Sequence, residues 1–182
     1  MKSHTLVTFL FLVGAGGACQ ANPLSVGGQI RPRFEVRDFS GGPHDTFTST
    51  RVRLQVRAAL ERDVVGFVQL QDVRLWGEEA STLGDFRADN FDLHQGYAEL
   101  QEIGGSQLSV RVGRQEIAFG GQRLIGAVGW MPQARSLDGL RATVKPDGAI
   151  LDLIAIRLAD EMAAGIADNA YLLGGYGTVT RF

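Results

Sequence analysis

Two triplets of arginine carry most of the chemistry in this chain: Arg31, Arg33 and Arg37, then Arg51, Arg53 and Arg57. Their spacings are even, so in an extended segment the three side chains of a triplet leave the same face. A guanidinium stays charged and presents a planar fork of donors that fits a carboxylate, so such a row is an anion-binding surface. The bias runs through the whole chain: 16 of the 18 basic residues are arginine, and Lys2 and Lys145 are the two lysines. Side by side in one antiparallel hairpin the triplets would repel each other, because like charges facing across a sheet are destabilising. Two arrangements relieve that. One is an electropositive track open to water and carboxylate-bearing solutes. The other is a packed interior in which Glu35, Asp92, Glu99 and Asp152 pair with the arginines. Spacing alone leaves both open.

Other chemistry is sparse. Asp92 and His94 share a face at i and i+2, but neither Ser106 nor Ser109 has the local signature of a nucleophile, so the chain does not read as an enzyme. His44 and His94 are too scattered to suggest a metal site, and the single Cys19 excludes an intramolecular disulfide and a multi-cysteine zinc site. No glycine-rich phosphate loop is present, and no cofactor is implied. A net charge of −2 argues against a nucleic-acid binder. The 45% hydrophobic content is too high for a disordered chain.

The elements that carry the arginines are strands. Ile30, Pro32, Phe34 and Val36 alternate with Arg31, Arg33, Glu35 and Arg37, and Val52, Leu54, Val56 and Ala58 alternate with Arg51, Arg53, Gln55 and Arg57. Period two gives each strand one apolar and one charged face, whereas a helix would scatter the arginines around its circumference. Residues 64–73, 91–101, 107–117, 137–145, 149–157 and 170–180 read as six further strands. Short connections at 61–63, 102–106 and 146–148 alternate with long ones at 39–48, 74–90, 118–136 and 158–169. An up-and-down meander with tight turns on one edge and long loops on the other is the pattern of an outer-membrane β-barrel. Residues 1–21 read as a secretory signal peptide, with the apolar core LVTFLFLV at 6–13 and small residues before a cleavage site at Asn22. Lipoprotein processing at Cys19 is the alternative. The expected fold is therefore all-β: a signal peptide followed, over 22–182, by an antiparallel up-and-down transmembrane barrel of about eight strands. Lipid would face the apolar side. A row of arginines there would cost about 2–4 kcal/mol per residue at the bilayer midplane, so the arginines would face the lumen.

The connection at 117–136 is long and rich in glycine (Gly120, Gly121, Gly126, Gly129), with Arg123, Trp130 and Arg135 among them. Loops of this length are usually functional or disordered. It either folds into the lumen and narrows it or lies as a solvated surface loop. Trp76, Tyr97, Trp130 and Tyr176 fall near expected strand ends, where interfacial aromatics belong; core or loop packing accounts for them almost as well.

Residues 112–141, VGRQEIAFGGQRLIGAVGWMPQARSLDGLR, resemble the alginate-export family of outer-membrane barrels, as do LQDVRLWGEE at 70–79 and LDLIAIRLAD at 151–160. The resemblance spans roughly residues 27–180. It implies an outer-membrane channel whose arginine-rich pore passes anionic polysaccharide (an alginate-like polyuronate) or smaller anionic solutes. The partners it implies are outer-membrane lipid and periplasmic export components, not nucleic acid. Arg114, Glu116, Arg123, Arg135, Asp138 and Arg141 match the motif and are expected near the constriction, with Arg111 and the two triplets lining the pore. Family barrels have about twice the strands counted here, so the chain is expected to be part of a larger barrel. The alternative is a small eight-stranded structural barrel with a packed interior and no transport. An eight-stranded interior is just wide enough to be filled by side chains.

Overall fold

Alternation becomes eight strands in chain order. The computed structural model describes residues 24–37, 45–61, 63–77, 91–159 and 169–180. The expected signal peptide, His44 and the tips of three long connections lie outside these. The strands are β1 (Leu24–Arg37), β2 (Asp45–Glu61), β3 (Val64–Leu75), β4 (Phe91–Leu100), β5 (Leu108–Gln115), β6 (Leu137–Val144), β7 (Ala149–Ala159) and β8 (Ala170–Val179). They form one antiparallel sheet in the order β1-β2-β3-β4-β5-β6-β7-β8. Each strand pairs with its sequence neighbour, and among the described residues β1 and β8 are the two edges. The sheet is an open meander, consistent with part of a barrel wall. The strand at 45–61 starts earlier than alternation suggests, because its first residues, Asp45, Thr46 and Phe47, pair with Arg37, Val36 and Glu35 of β1.

The two faces are inverted relative to a soluble sheet. Leu24, Val26, Ile30, Phe34, Leu54, Val112, Leu153 and Leu173 are all more than half exposed on one face. Among the described residues the buried set contains seven polar side chains (Ser49, Arg51, Gln69, Gln71, His94, Gln115, Asp152) against five apolar ones (Val65, Val73, Ile117, Ile154, Ile156). Water-soluble folds bury apolar residues and leave charge outside. Here the polar face is the covered one, and what covers it is the β5–β6 connection.

A bulge sharpens the polar face. Gln69 of β3 pairs with Gln95 of β4, but the next residue, Leu70, pairs with Leu93, so His94 is the extra residue. A bulge re-aims a side chain, and His94 turns inward beside Gln95 and is buried. Of the two readings open for Tyr97 and Tyr176, both residues follow packing: Tyr97 lies on the polar face of mid-β4, stacked on Phe67 at 4.9 Å, and Tyr176 on β8 is stacked on Phe119 at 4.8 Å.

Candidate functional site: an arginine face under a loop

The site is the polar face of β1–β4 with residues 116–136 laid across it. Register puts Arg31 directly opposite Arg51. The rest of the two triplets do not face each other: Arg33 is opposite Ser49, Arg53 opposite Gln29, Arg57 opposite Ser25, and Arg37 opposite Asp45. Glutamines fill the gaps. Gln69 donates to Gln55 (2.7 Å), Gln95 donates to Gln69 (3.2 Å), and Gln95 Oε1 accepts from the backbone N–H of Glu116 (3.1 Å). This ladder of neutral donors and acceptors ends on the loop.

The loop meets the arginines through its backbone. Arg31 donates to the carbonyls of Gly129 (2.6 Å) and Met131 (2.9 Å), and Arg33 donates to that of Trp130. Arg51 reaches the carbonyls of Gly129 and Pro132 at 3.4 Å each and the Gln29 side chain at 3.1 Å. Gln71 donates to the Gln133 carbonyl at 2.8 Å. Five successive carbonyls, 129 to 133, are thus held by the sheet. Arg33 also pairs with Glu35.

Both stems of the loop converge on the bulge. His94 Nε2 lies 2.6 Å from Glu116 Oε1 and 2.7 Å from an Arg53 nitrogen, and Arg53 reaches the same Glu116 oxygen at 3.2 Å. Arg53 Nε donates to Gln71 (2.7 Å). Burial alone would raise the Glu116 carboxyl, but the His94 hydrogen bond and the Arg53 charge outweigh it and hold the group below its ordinary 4.5. Ser136, the other stem, completes a serine–histidine–glutamate trio. Its Oγ is 3.3 Å from His94 Nδ1 and 3.4 Å from Nε2. Near-equidistance puts the hydroxyl off both lone-pair directions, so His94 is not aligned to take its proton.

The first half of the loop is anchored differently. Ile117 packs with Ile154 and Ile156 of β7, joined by Phe119, Ile125, Leu137 and Leu172. A hollow of ≈ 260 Å³ opens beside this cluster, with Phe119, Arg123, Leu124 and Tyr176 in its lining. The loop is therefore a strap, held to β7 and β8 by apolar packing and to β1–β4 by arginine.

Towards the short turns, the polar face carries paired charges. Arg111 grips Glu99 through Nε (2.9 Å) and a terminal nitrogen (2.6 Å) and lies over the Tyr97 ring. Arg141, opposite Arg111 in register, donates to Asp152 (2.8 Å), which also accepts from Thr143 (2.6 Å). Each of these facing arginines thus has an acid on its far side, as the ion-pair reading expects for Glu99 and Asp152.

Not every motif residue reaches this face. Arg114 alternates with Arg111 and Gly113, so it shares the apolar face with Val112. There it meets Asp138 (3.2 Å) and Asp92 (3.9 Å), and Asp138 faces Arg157 of β7. Arg123 and Arg135 are exposed on the loop, and the side chains of Arg37 and its neighbours at the strand end lie outside the described residues.

The motif's glycines have a steric reason. Gly113 and Gly139 face each other across β5 and β6. A Cβ on Gly139 would stand 2.2 Å from the Ala155 carbonyl oxygen and 2.8 Å from Ile156 Cα. One on Gly113, whose φ is +126°, would stand 2.3 Å from the Gly96 oxygen. Gln115, fully buried, donates to the Gly139 carbonyl at 3.2 Å.

Sequence reasoning missed the glutamines and the role of His94. Both leave a signal: Gln29, Gln55, Gln69 and Gln71 keep the arginines' parity, and the adjacent polar pair His94–Gln95 breaks the period of β4 where the bulge lies. No curated protein and no solved structure matches the chain. The family model described as alginate export matches residues 22–161, well over half of the sequence, and the chain belongs to that family.

Proposed function

We propose that this chain builds the wall of an outer-membrane channel that passes anionic polysaccharide, an alginate-like polyuronate, along its arginine-bearing face. The apolar face meets lipid, and residues 1–21 direct the chain across the inner membrane. One observation carries the reading: in a member of an export family, the exposed face is apolar and the covered face holds Arg31, Arg33, Arg51, Arg53, Arg111 and Arg141. Arg57 extends that row towards the short turns, with Glu116 at the loop stem. Arg123 and Arg135 belong to the strap over it. Guanidinium forks select carboxylates by geometry as well as charge. Arg114 and Asp138 stand outside the lining, in a charged row on the apolar face. Lipid and the cell's export machinery are the expected partners.

The experiment is current block, in planar bilayers holding the closed barrel of which this wall is part, by tri-galacturonate, with maltotriose as the uncharged control. The reading requires the uronate to block at concentrations where maltotriose does not. Equal insensitivity to both would sink it. A second reading, a structural barrel with a packed interior, draws on the Glu99–Arg111 and Arg141–Asp152 pairs. It predicts no conductance at all.

A further inference from the structure

We propose that residues 127–135 are a displaceable stand-in for the ligand: their backbone carbonyls occupy Arg31, Arg33 and Arg51 until a carboxylate takes their place and lifts the segment. This rests on the channel reading above and adds a regulatory event to the same site. Among the described residues, Arg31 and Arg51 face each other in register yet bond only to neutral oxygens, those of Gly129, Met131, Pro132 and Gln29. Each also has a buried Nε without a partner. A carbonyl offers one neutral oxygen, whereas a carboxylate meets the fork with two and brings the missing charge. The cation pair is thus built for an anion and provisionally filled by peptide.

The segment is shaped to leave. Its attachment to the sheet is backbone to arginine and glutamine, without an apolar anchor like that of Ile117. While seated it is closed on itself by hydrogen bonds from Arg135 N to Ala127 O (2.7 Å) and from Met131 N to Val128 O (3.0 Å). Both ends of the held stretch are strained. Val128 (φ +49°) and Ala134 (φ +62°) sit in the left-handed region, which a β-branched residue rarely adopts. Release relaxes both.

The test uses the full chain with Cys19→Ser, spin-labelled through Thr46→Cys and Met131→Cys, and tri-galacturonate as probe. The expected result is a longer, broader inter-label distance with tri-galacturonate and no change with maltotriose. Two further variants, checked for folding by heat-modifiable migration, shift the uronate affinity in opposite directions. Replacing 128–134 by a short Gly-Ser bridge removes the competitor and tightens binding about tenfold. Val128→Gly removes strain from the seated segment and weakens binding several-fold. Uronate binding with unchanged distance and unchanged affinity in both variants would overturn the inference and leave the channel reading standing. Absence of uronate binding in every protein, bridge variant included, would overturn both.

Discussion

Replacing Glu116 by glutamine removes one charge from the point where the loop stem meets the sheet. Shape and an acceptor remain, so the loss is the charge assistance in two contacts: to His94 at 2.6 Å and to Arg53 at 3.2 Å. Hydrogen bonds to charged groups contribute about 1.5–3 kcal/mol and neutral ones about 0.5–1.5, so the exchange costs on the order of 1 kcal/mol per contact. Arg53 is 10% exposed, but the Glu116 side chain is 28% exposed. Solvent screening therefore discounts the sum to about 1–2 kcal/mol. That corresponds to a fall of about 4 °C in Tm for a chain of this size. Because the Glu116 carboxyl is held below 4.5 in the folded protein, its contribution is complete above the unfolded value and is lost as pH falls through the folded one. Thermal unfolding of wild type and Glu116→Gln in detergent, from pH 7 to pH 3, should show a gap that closes on acidification. A gap absent at pH 7, or one that persists unchanged to pH 3, would refute the placement of this charge.

Three other outcomes follow from the same geometry. Gly139→Ala should destabilise by about 1–3 kcal/mol, the usual range for overpacking, because backbone atoms stand where the Cβ must go. Gly121→Ala, with nothing within 4 Å, should be close to neutral in the same unfolding assay. Ile117→Ala should cost about 2–4 kcal/mol, since Ile117 is 1% exposed against Ile154 and Ile156. It should also raise protease cleavage after Arg123. Arg114→Ala should leave ion selectivity in bilayers unchanged, whereas Arg51→Ala should lower it, because only Arg51 lies on the polar face.

The strands were legible in the sequence because period two is set by backbone geometry, and each alternating segment became a strand, the first two starting about six residues earlier than their alternation. The division into polar and apolar faces was legible for the same reason. Parity also assigns Arg114 and Asp138 to the apolar face, although the motif groups them with Arg111 and Arg141. Grouping by motif hid what alternation shows. Docking of the loop left no such trace. Its polar contacts are made by carbonyls of residues 129–133, which every sequence possesses, so no side-chain pattern could announce them. Register was equally hidden. The arginine triplets look matched on paper, yet pairing brings only Arg31 and Arg51 face to face, because the register sets Arg33 opposite Ser49 and Arg53 opposite Gln29. The facing of Gly113 and Gly139 needs that register as well, and composition alone could show only that glycine was abundant.

An arginine-bearing face that walls an anion path sets the ion selectivity of the closed barrel, read as its reversal potential in a planar bilayer under a potassium chloride gradient, in wild type and in the double variant Arg31→Glu/Arg51→Glu. Chloride selectivity in wild type, lost or reversed in the double variant, is the predicted result. Cation selectivity in wild type, or a reversal potential that the double substitution leaves unmoved, would contradict it.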